Sequence, residues 1–261
     1  MKTLKRLYIG LVYFFLYAPI IILIGFSFNS GKSRGLWQGF SLHWYQSMLE
    51  NKEILSAVKT TMTVAVLATL ISGIVGTLGA LAFYFYRGRV RKGLNVINQV
   101  IVINPDIVTA VGFMAVYSLF RLPLGFFSLL LSHIGFTLPY VVLSVWPKLQ
   151  TMPRGLPEAA MDLGAGPFNT VRHVIIPYIK PGIVSGLLLA FTISIDDFAI
   201  SFFTAGNGVD TISTMVYSMA RRGINPEINA MSTILFALML VLLLSVNKLR
   251  SRENEGQEND F

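Results

Sequence analysis

The chain has 261 residues, 54% of them hydrophobic and only 13% charged, with a net charge of +8 and no cysteine. A soluble domain carries about 25% charged residues, so this balance, with a mean hydropathy of +0.63, excludes an ordinary soluble domain and points to an integral membrane protein. The cations flank apolar runs, which marks topology and speaks against a nucleic-acid partner. Disulfide and thiolate chemistry are excluded, and His43, His133 and His173 have no metal-ligand spacing, so no metal site is expected.

Six stretches are long enough to cross a hydrocarbon core as helices, which takes about 20 residues. They cover roughly Leu7–Phe28, Ser56–Tyr86, Leu94–Phe120, Leu124–Trp146, Gly182–Ala205 and Ile228–Val246. Together they predict an all-α, six-helix membrane domain occupying 1–261. The first has a basic start but no small-residue cleavage site and a full span of apolar residues, so it reads as a retained signal anchor. With both termini inside, the cytoplasmic segments hold Lys2, Lys5, Arg6, Arg87, Arg89, Arg91, Lys92, Lys148, Arg154, Arg172, Lys180, Lys248, Arg250 and Arg252, fourteen of the 21 cations. The outer segments hold Lys32, Arg34, Lys52, Lys59, Arg121, Arg221 and Arg222. That two-to-one bias places both termini and the 147–181 loop in the cytoplasm.

In the first outer loop, Trp37, Phe40, Trp44 and Tyr45 suggest a segment at the membrane surface, either as aromatic belt residues or with Trp44 or Tyr45 facing the translocation path and offering a π-face to a cation. Gly31-Lys32-Ser33 resembles the tail of a phosphate-binding loop, but Phe26 stands where glycine is needed, so that motif fails. Gly73, Gly76 and Gly79 give the second span a thin stripe for close helix packing. The third span is interrupted at Asn104-Pro105-Asp106, where proline predicts a kink or unwinding. Asp106 then lies roughly 18 Å from the cytoplasmic end at 1.5 Å per residue, as a cap of the broken helix or as a residue facing water. His133, in the fourth span, reads as a hydrogen-bonded interior residue. The fifth span carries Ser194-Ile195-Asp196-Asp197, about 21 Å in. A charge there costs at least about 2.5–3.5 kcal/mol, and no basic residue within a span is expected to pair with the two acids. Helical neighbours point about 100° apart, so one acid can face a cavity while the other caps or bonds to a neighbouring helix. Asp106, Asp196 and Asp197 together predict an acidic patch in a central cavity, with Ser194 and Trp44 as lesser candidates along the same path. The last outer loop holds Asn207-Gly208 and Asn225-Pro226, both turn signals.

The longest interruption of the apolar pattern runs from Leu156 to Pro181. Pro157 and Glu158 suit a first helical turn, Ala159 and Ala160 leave a surface a partner can approach, and Gly164 and Gly166 end the helix. Pro167 starts a second helix expected over Phe168–Ile176 and stopped by Pro177. The result is a cytoplasmic docking knob.

Glu158-Ala159-Ala160, Gly164 and Val174-x-Ile176-Pro177 resemble the EAA loop of permease subunits of binding-protein-dependent ABC importers, with Val and Ile in place of the usual Ile and Leu. Ser27-Phe28-Asn29-Ser30, Trp37-Gln38-Gly39-Phe40, Pro105-Asp106-Ile107-Val108, Ser194 with Asp196-Asp197, and Pro226-Glu227-Ile228-Asn229-Ala230 extend the resemblance to the spermidine/putrescine permeases over nearly the whole chain. The resemblance implies a type I importer permease fold (MetI-like) in a bacterial inner membrane, a polyamine substrate, a second permease subunit, an ATPase dimer and an extracytoplasmic polyamine-binding protein. It implies that Glu158, Ala159, Ala160 and Gly164 couple to the ATPase, that ATP and Mg belong to that partner, and that this chain is no enzyme. Charge sign agrees with a polycation without selecting a polyamine. Another organic cation, a metal complex, or an ion-gradient carrier in which the acids bind protons or sodium would use the same acids.

Overall fold

The computed structural model describes residues 2–32, 36–86, 88–153, 155–222 and 226–241. Ser33, Arg34, Arg87, Arg154, Asn225, residues 242–246 of the last expected span and the tail with Lys248, Arg250 and Arg252 lie outside the described residues. The described chain is helical, and its single β-bridge joins Asn29 to Phe40. It divides into two compact units, Ala57–Thr214 and the pair Met1–Ser56 with Met215–Phe261.

The central unit is built on α3 (Lys52–Phe85, entering at Ala57), α4 (Arg89–Ile103), α5 (Asp106–Leu119), α6 (Phe126–Thr151), α7 (Gly155–Asp162), α8 (Pro167–Asp196) and α9 (Ala199–Thr204). Its backbone follows from the solvent it must live in. Lipid offers no hydrogen bonds, so each span must close its own ladder or have breaks covered by protein. The Lys52–Phe85, Phe126–Thr151 and Pro167–Asp196 helices are long and apolar enough to cross a membrane. At 1.5 Å per residue α8 spans about 45 Å, longer than a hydrocarbon core of about 30 Å, so one end stands clear of it.

α6 and α8 make the most extensive helix pair in this unit. Glycine lets them approach. A Cβ at Gly186 would sit 3.1 Å from the Val141 Cα and 3.3 Å from the Ser144 Cβ, and one at Gly182 would sit 3.0 Å from the Ser144 carbonyl oxygen. The stripe on α3 works the same way: a Cβ at Gly76 would meet Val141 at 2.8 Å, and one at Gly73 would collide with Leu187. The main core closes over this junction with Ala80, Val141, Val145, Leu149, Ile175 and Ile179.

Two proline expectations come out differently. At Asn104-Pro105 the helix does end: Asn104 and Pro105 are extended, with ψ of 141° and 140°, so the third expected span is two helices, α4 and α5. Pro177 stops nothing, and the second helix of the loop continues into the fifth span as one rod. The reason is a π-turn over Val171–Ile175. It widens the hydrogen-bonded ring, with the Ile176 N–H reaching back to the Val171 carbonyl, so that Pro177 falls in the opening turn of a fresh α segment. A first-turn proline forfeits no intrahelical bond. The fifth expected span is also not continuous through Ala205, because α8 ends at Asp196 and α9 begins at Ala199.

The second unit holds α1 (Lys2–Ser27), α2 (His43–Glu50), most of α10 (Ile212–Arg222) and α11 (Glu227–Val241). None of the apolar span of α1 is buried within the chain, an arrangement that lipid or another subunit satisfies. Between α1 and α2 the chain is pinned by Asn29. Its side chain accepts the Gln38 N–H at 2.8 Å and donates to the Leu36 carbonyl at 3.0 Å, while its own carbonyl accepts the Trp44 indole N–H at 2.7 Å. The buried Glu227 carboxylate accepts the Ser47 hydroxyl and, at 3.1 Å, the Asn51 amide, tying α2 to the start of α11.

Gly186→Leu should lower the yield of monodisperse protein in size-exclusion chromatography and its Tm, because overpacking a tight contact costs about 1–3 kcal/mol. Gly112→Ala, whose added methyl meets nothing within 4 Å, should leave both unchanged.

Candidate functional site

Two helix breaks in the central unit face one cavity. Asp106 opens α5 immediately after Pro105, whose carbonyl receives the Val108 and Thr109 amides. Pro105 forces the break, and Asp106 sits in the first turn, where the helix dipole favours a carboxylate. Its side chain is exposed and hydrogen-bonds to no described residue. The expectation that Asp106 caps the broken helix finds no side-chain bond to support it.

The second break lies at Asp196-Asp197. Asp196 is the last residue of α8 and is exposed. Asp197 is extended, with ψ of 128°, and turns inward. One of its oxygens accepts the Ile200 amide at 3.0 Å, and the other accepts the Ser201 amide at 2.8 Å and the Ser201 hydroxyl at 3.0 Å. These are first-turn amides of α9 that no helical carbonyl can reach. Charge-assisted bonds of this kind offset much of the cost of burying a carboxylate. The adjacent acids therefore divide, Asp196 open to the cavity and Asp197, turned by the extended backbone, into a cap at its edge.

Among the described residues no lysine or arginine meets these acids, but the histidine read as a hydrogen-bonded interior residue stands beside one of them. The His133 Nε2 lies 3.6 Å from an Asp197 oxygen. His133 is 1% exposed. Its Nδ1 is 2.7 Å from the Ser194 hydroxyl and its Nε2 is 3.2 Å from the Ser201 hydroxyl. One imidazole on α6 thus joins the residues just before and just after the break. Spacing along the chain could not bring His133 to Asp197, although an ionisable residue inside a span is itself a sign of function.

The cavity beside this break has a volume of about 420 Å³ and is lined by Asp106, Phe136, Thr192, Asp196, Asp197 and Phe198, with Ile193 and Ala199. Sites for small molecules run from about 300 to 1,000 Å³. A larger groove of about 700 Å³ between α3, α7 and α8 contains no charged residue and does not suit a cation. Ser194 is buried against His133 and does not line the cavity. Trp44 belongs to the other unit, where it is 6% exposed with its N–H bound to Asn29. Among the described residues no group of three or more His, Cys, Asp or Glu could hold a metal ion.

The loop expected to dock a partner is α7, a turn, and the start of α8. Gly164 has φ of +90°. The Ala165 amide reaches the Ala160 carbonyl at 3.0 Å, and the Gly164 amide reaches the Met161 carbonyl at 2.9 Å. This pair of bonds ends a helix with a left-handed residue that is usually glycine. Glu158, Ala159, Gly164, Leu163 and Phe168 are exposed, and Ala160 is half-buried. The knob thus presents small and apolar residues together.

Residues 72–250 match the family described as "Binding-protein-dependent transport system inner membrane component". This chain belongs to that family. It is a transport permease subunit with membrane-spanning apolar helices. It is 37% identical over 259 residues to the "Spermidine/putrescine transport system permease protein PotC" of Escherichia coli (strain K12), covering 99% of this chain and 98% of that one. It is 36% identical over 228 residues to the "Putrescine transport system permease protein PotI" of the same strain, covering 85% and 81%. The fold is that of type I importer permeases. A chain of a bacterial ABC transporter for the acidic polysaccharide alginate matches with a TM-score of 0.72 at 18% identity, covering 96% of this chain and 95% of that one. A chain of the MetNI methionine ABC transporter matches with a TM-score of 0.65 at 16% identity, covering 80% and 97%.

Asp197→Ala should lower the Tm in detergent or nanodiscs more than Asp197→Ser, since serine can still accept a first-turn amide and an uncapped buried amide costs about 1–3 kcal/mol. Asp196→Ala should leave the Tm unchanged, because that carboxylate makes no hydrogen bond to a described residue.

Proposed function

We propose that this chain is the permease subunit of an ATP-driven importer that carries polyamines, spermidine or putrescine, across the cytoplasmic membrane into the cell. The observation that carries this reading is the cavity with Asp106 and Asp196 as unbonded carboxylates at two helix breaks, in a chain 37% identical to a permease named for spermidine and putrescine. A low-dielectric cavity with two free negative charges favours a solute with separated ammonium groups. Asp197 lines the same cavity, and Ser194 and Trp44 are the lesser candidates for the path. Polyamines are delivered from outside by a PotD-like binding protein. A PotB-like second permease completes the translocation path, and a PotA-like ATPase dimer binds ATP and Mg and drives it. Both termini lie in the cytoplasm, the chain crosses six times with the third and fifth crossings broken at Pro105 and after Asp196, and the cytoplasmic segment between the fourth and fifth crossings carries the ATPase contact through Glu158, Ala159, Ala160 and Gly164. This chain hydrolyses nothing and binds no cofactor.

Uptake of tritiated spermidine and putrescine into right-side-out vesicles bearing the four-component system tests the reading. Uptake should stop on ATP depletion and survive collapse of the membrane potential. The opposite pattern would support an ion-gradient carrier, and transport of neither polyamine would shift the reading to another organic cation or a metal complex. Asp106→Asn with Asp196→Asn should reduce uptake at least about tenfold, the scale at which a lined cleft concentrates ions, while the complex is recovered intact. Full uptake by that double variant would refute the acidic path.

Gly164→Val should reduce uptake and substrate-stimulated ATP hydrolysis together, since a branched residue is strained at positive φ. Co-purification of the ATPase with the variant measures whether docking itself is lost.

A further inference from the structure

We infer that His133 is the positioning residue of the acidic cavity: it holds Asp197 in its capping role, so that Asp106 and Asp196 are the two carboxylates that meet a cationic solute. The inference rests on the reading of this cavity as the path of a cation, and it decides which of the three acids meets the solute and what holds the remaining one away from it.

Asp197 has little left to offer a solute. Its oxygens receive two backbone amides and a hydroxyl, its side chain is 3% exposed, and an imidazole nitrogen stands 3.6 Å away. A carboxylate with this many donors is already solvated by protein, and turning it toward a cation would strip the first turn of α9 of its acceptors. Asp106 and Asp196 are exposed and have no such partners among the described residues.

His133 keeps this division in place. It comes from α6, outside the broken segment, and grips both sides of the break through Ser194 at 2.7 Å and Ser201 at 3.2 Å. A neutral imidazole has one donor and one acceptor nitrogen, so it can serve a hydroxyl on each side without adding a charge. The Ser201 hydroxyl also bonds Asp197, which completes a chain from Ser194 through His133 and Ser201 to the cap. The contact of α9 with α6 and α5 packs Ile200 against Ala110 and Phe136, and Phe136 lines the cavity. Loss of the imidazole would free the break to shift and the Asp197 carboxylate, already at the cavity's edge, to leave its cap and turn toward a solute.

The test exploits the absence of cysteine from this chain. Thr192 is exposed and lines the cavity, so Thr192→Cys in the assembled transporter places one thiol beside the acids. The readout is the ratio of its labelling rates with a cationic and an anionic methanethiosulfonate reagent, followed on the band of this chain. With His133 present the ratio should favour the cation. It should fall roughly two- to threefold in Asp106→Asn or Asp196→Asn, the size of one partly screened charge at this range, and clearly less in Asp197→Ser, whose charge already answers to three donors. In His133→Leu, adding Asp197→Ser should now lower the ratio as much as Asp196→Asn does. His133→Gln, which keeps a polar group near the position of Nε2, should restore the smaller effect of Asp197→Ser. A fall on Asp197→Ser as large as that on Asp196→Asn with His133 intact would overturn the inference by showing a third open charge. The same smaller effect in His133→Leu would overturn the positioning role. No preference for the cation in the parent would remove the acidic cavity itself, and with it the proposed function. A preserved labelling pattern without polyamine uptake would sink only the choice of substrate.

Discussion

The structure turns on backbone amides that lipid cannot satisfy. A break inside a membrane span exposes first-turn N–H groups, and leaving them bare costs several kcal/mol each. At Asp197 the chain meets this demand with a carboxylate, placing three hydrogen bonds on two oxygens. That cap permits α8 to stop and α9 to start within two residues. The stop then leaves Asp196 at a helix terminus facing open space. The other break, at Pro105, leaves Asp106 at the start of α5, also open to the cavity. The acidic cavity is therefore a by-product of how two helices are interrupted, and its charge is tied to its architecture.

Glycine decides how tightly the surrounding helices hold this arrangement. Gly182 and Gly186 on α8 let it lie against Val141 and Ser144 of α6, while Gly73 and Gly76 admit Leu187 and Val141 to α3. In a membrane such close packing replaces the hydrophobic drive that water would supply. α6 carries His133 into the break and also forms the main contact of α8, so the helix that holds the cavity wall is the one that positions its cap. α8 runs unbroken from Pro167, in the exposed knob, to Asp196, at the cavity. A rod of this kind transmits displacement at one end to the other. This gives a physical route from a docking loop to a site, and it exists only because the π-turn lets the helix pass Pro177.

The stereochemistry at the turn of the knob is equally specific. Gly164 is held at φ of +90° by two bonds that close α7, and a side chain there would meet open space. The requirement for glycine is therefore conformational. It aims Leu163 and Phe168 outward with Glu158 and Ala159 beside them, a surface of small and apolar residues suited to a protein groove.

Composition and apolar run length determined by themselves that this is a helical membrane protein, because lipid solvates no free backbone and a helix needs about 20 residues to cross. Local chemistry determined the break at Pro105, the end of α7 at Gly164 and the division of labour between Asp196 and Asp197, since each depends on neighbours a few residues apart. The residue spacing from Glu158 to Pro177 likewise disclosed the family. Tertiary structure alone decided the rest. Pro177 sits inside a helix because the register shift of a π-turn is a property of packing. Asp106 and Asp196 share a cavity, and His133 reaches Asp197 across more than sixty residues, because which faces of α5, α6 and α8 meet is settled by packing and not by the order of the helices along the chain.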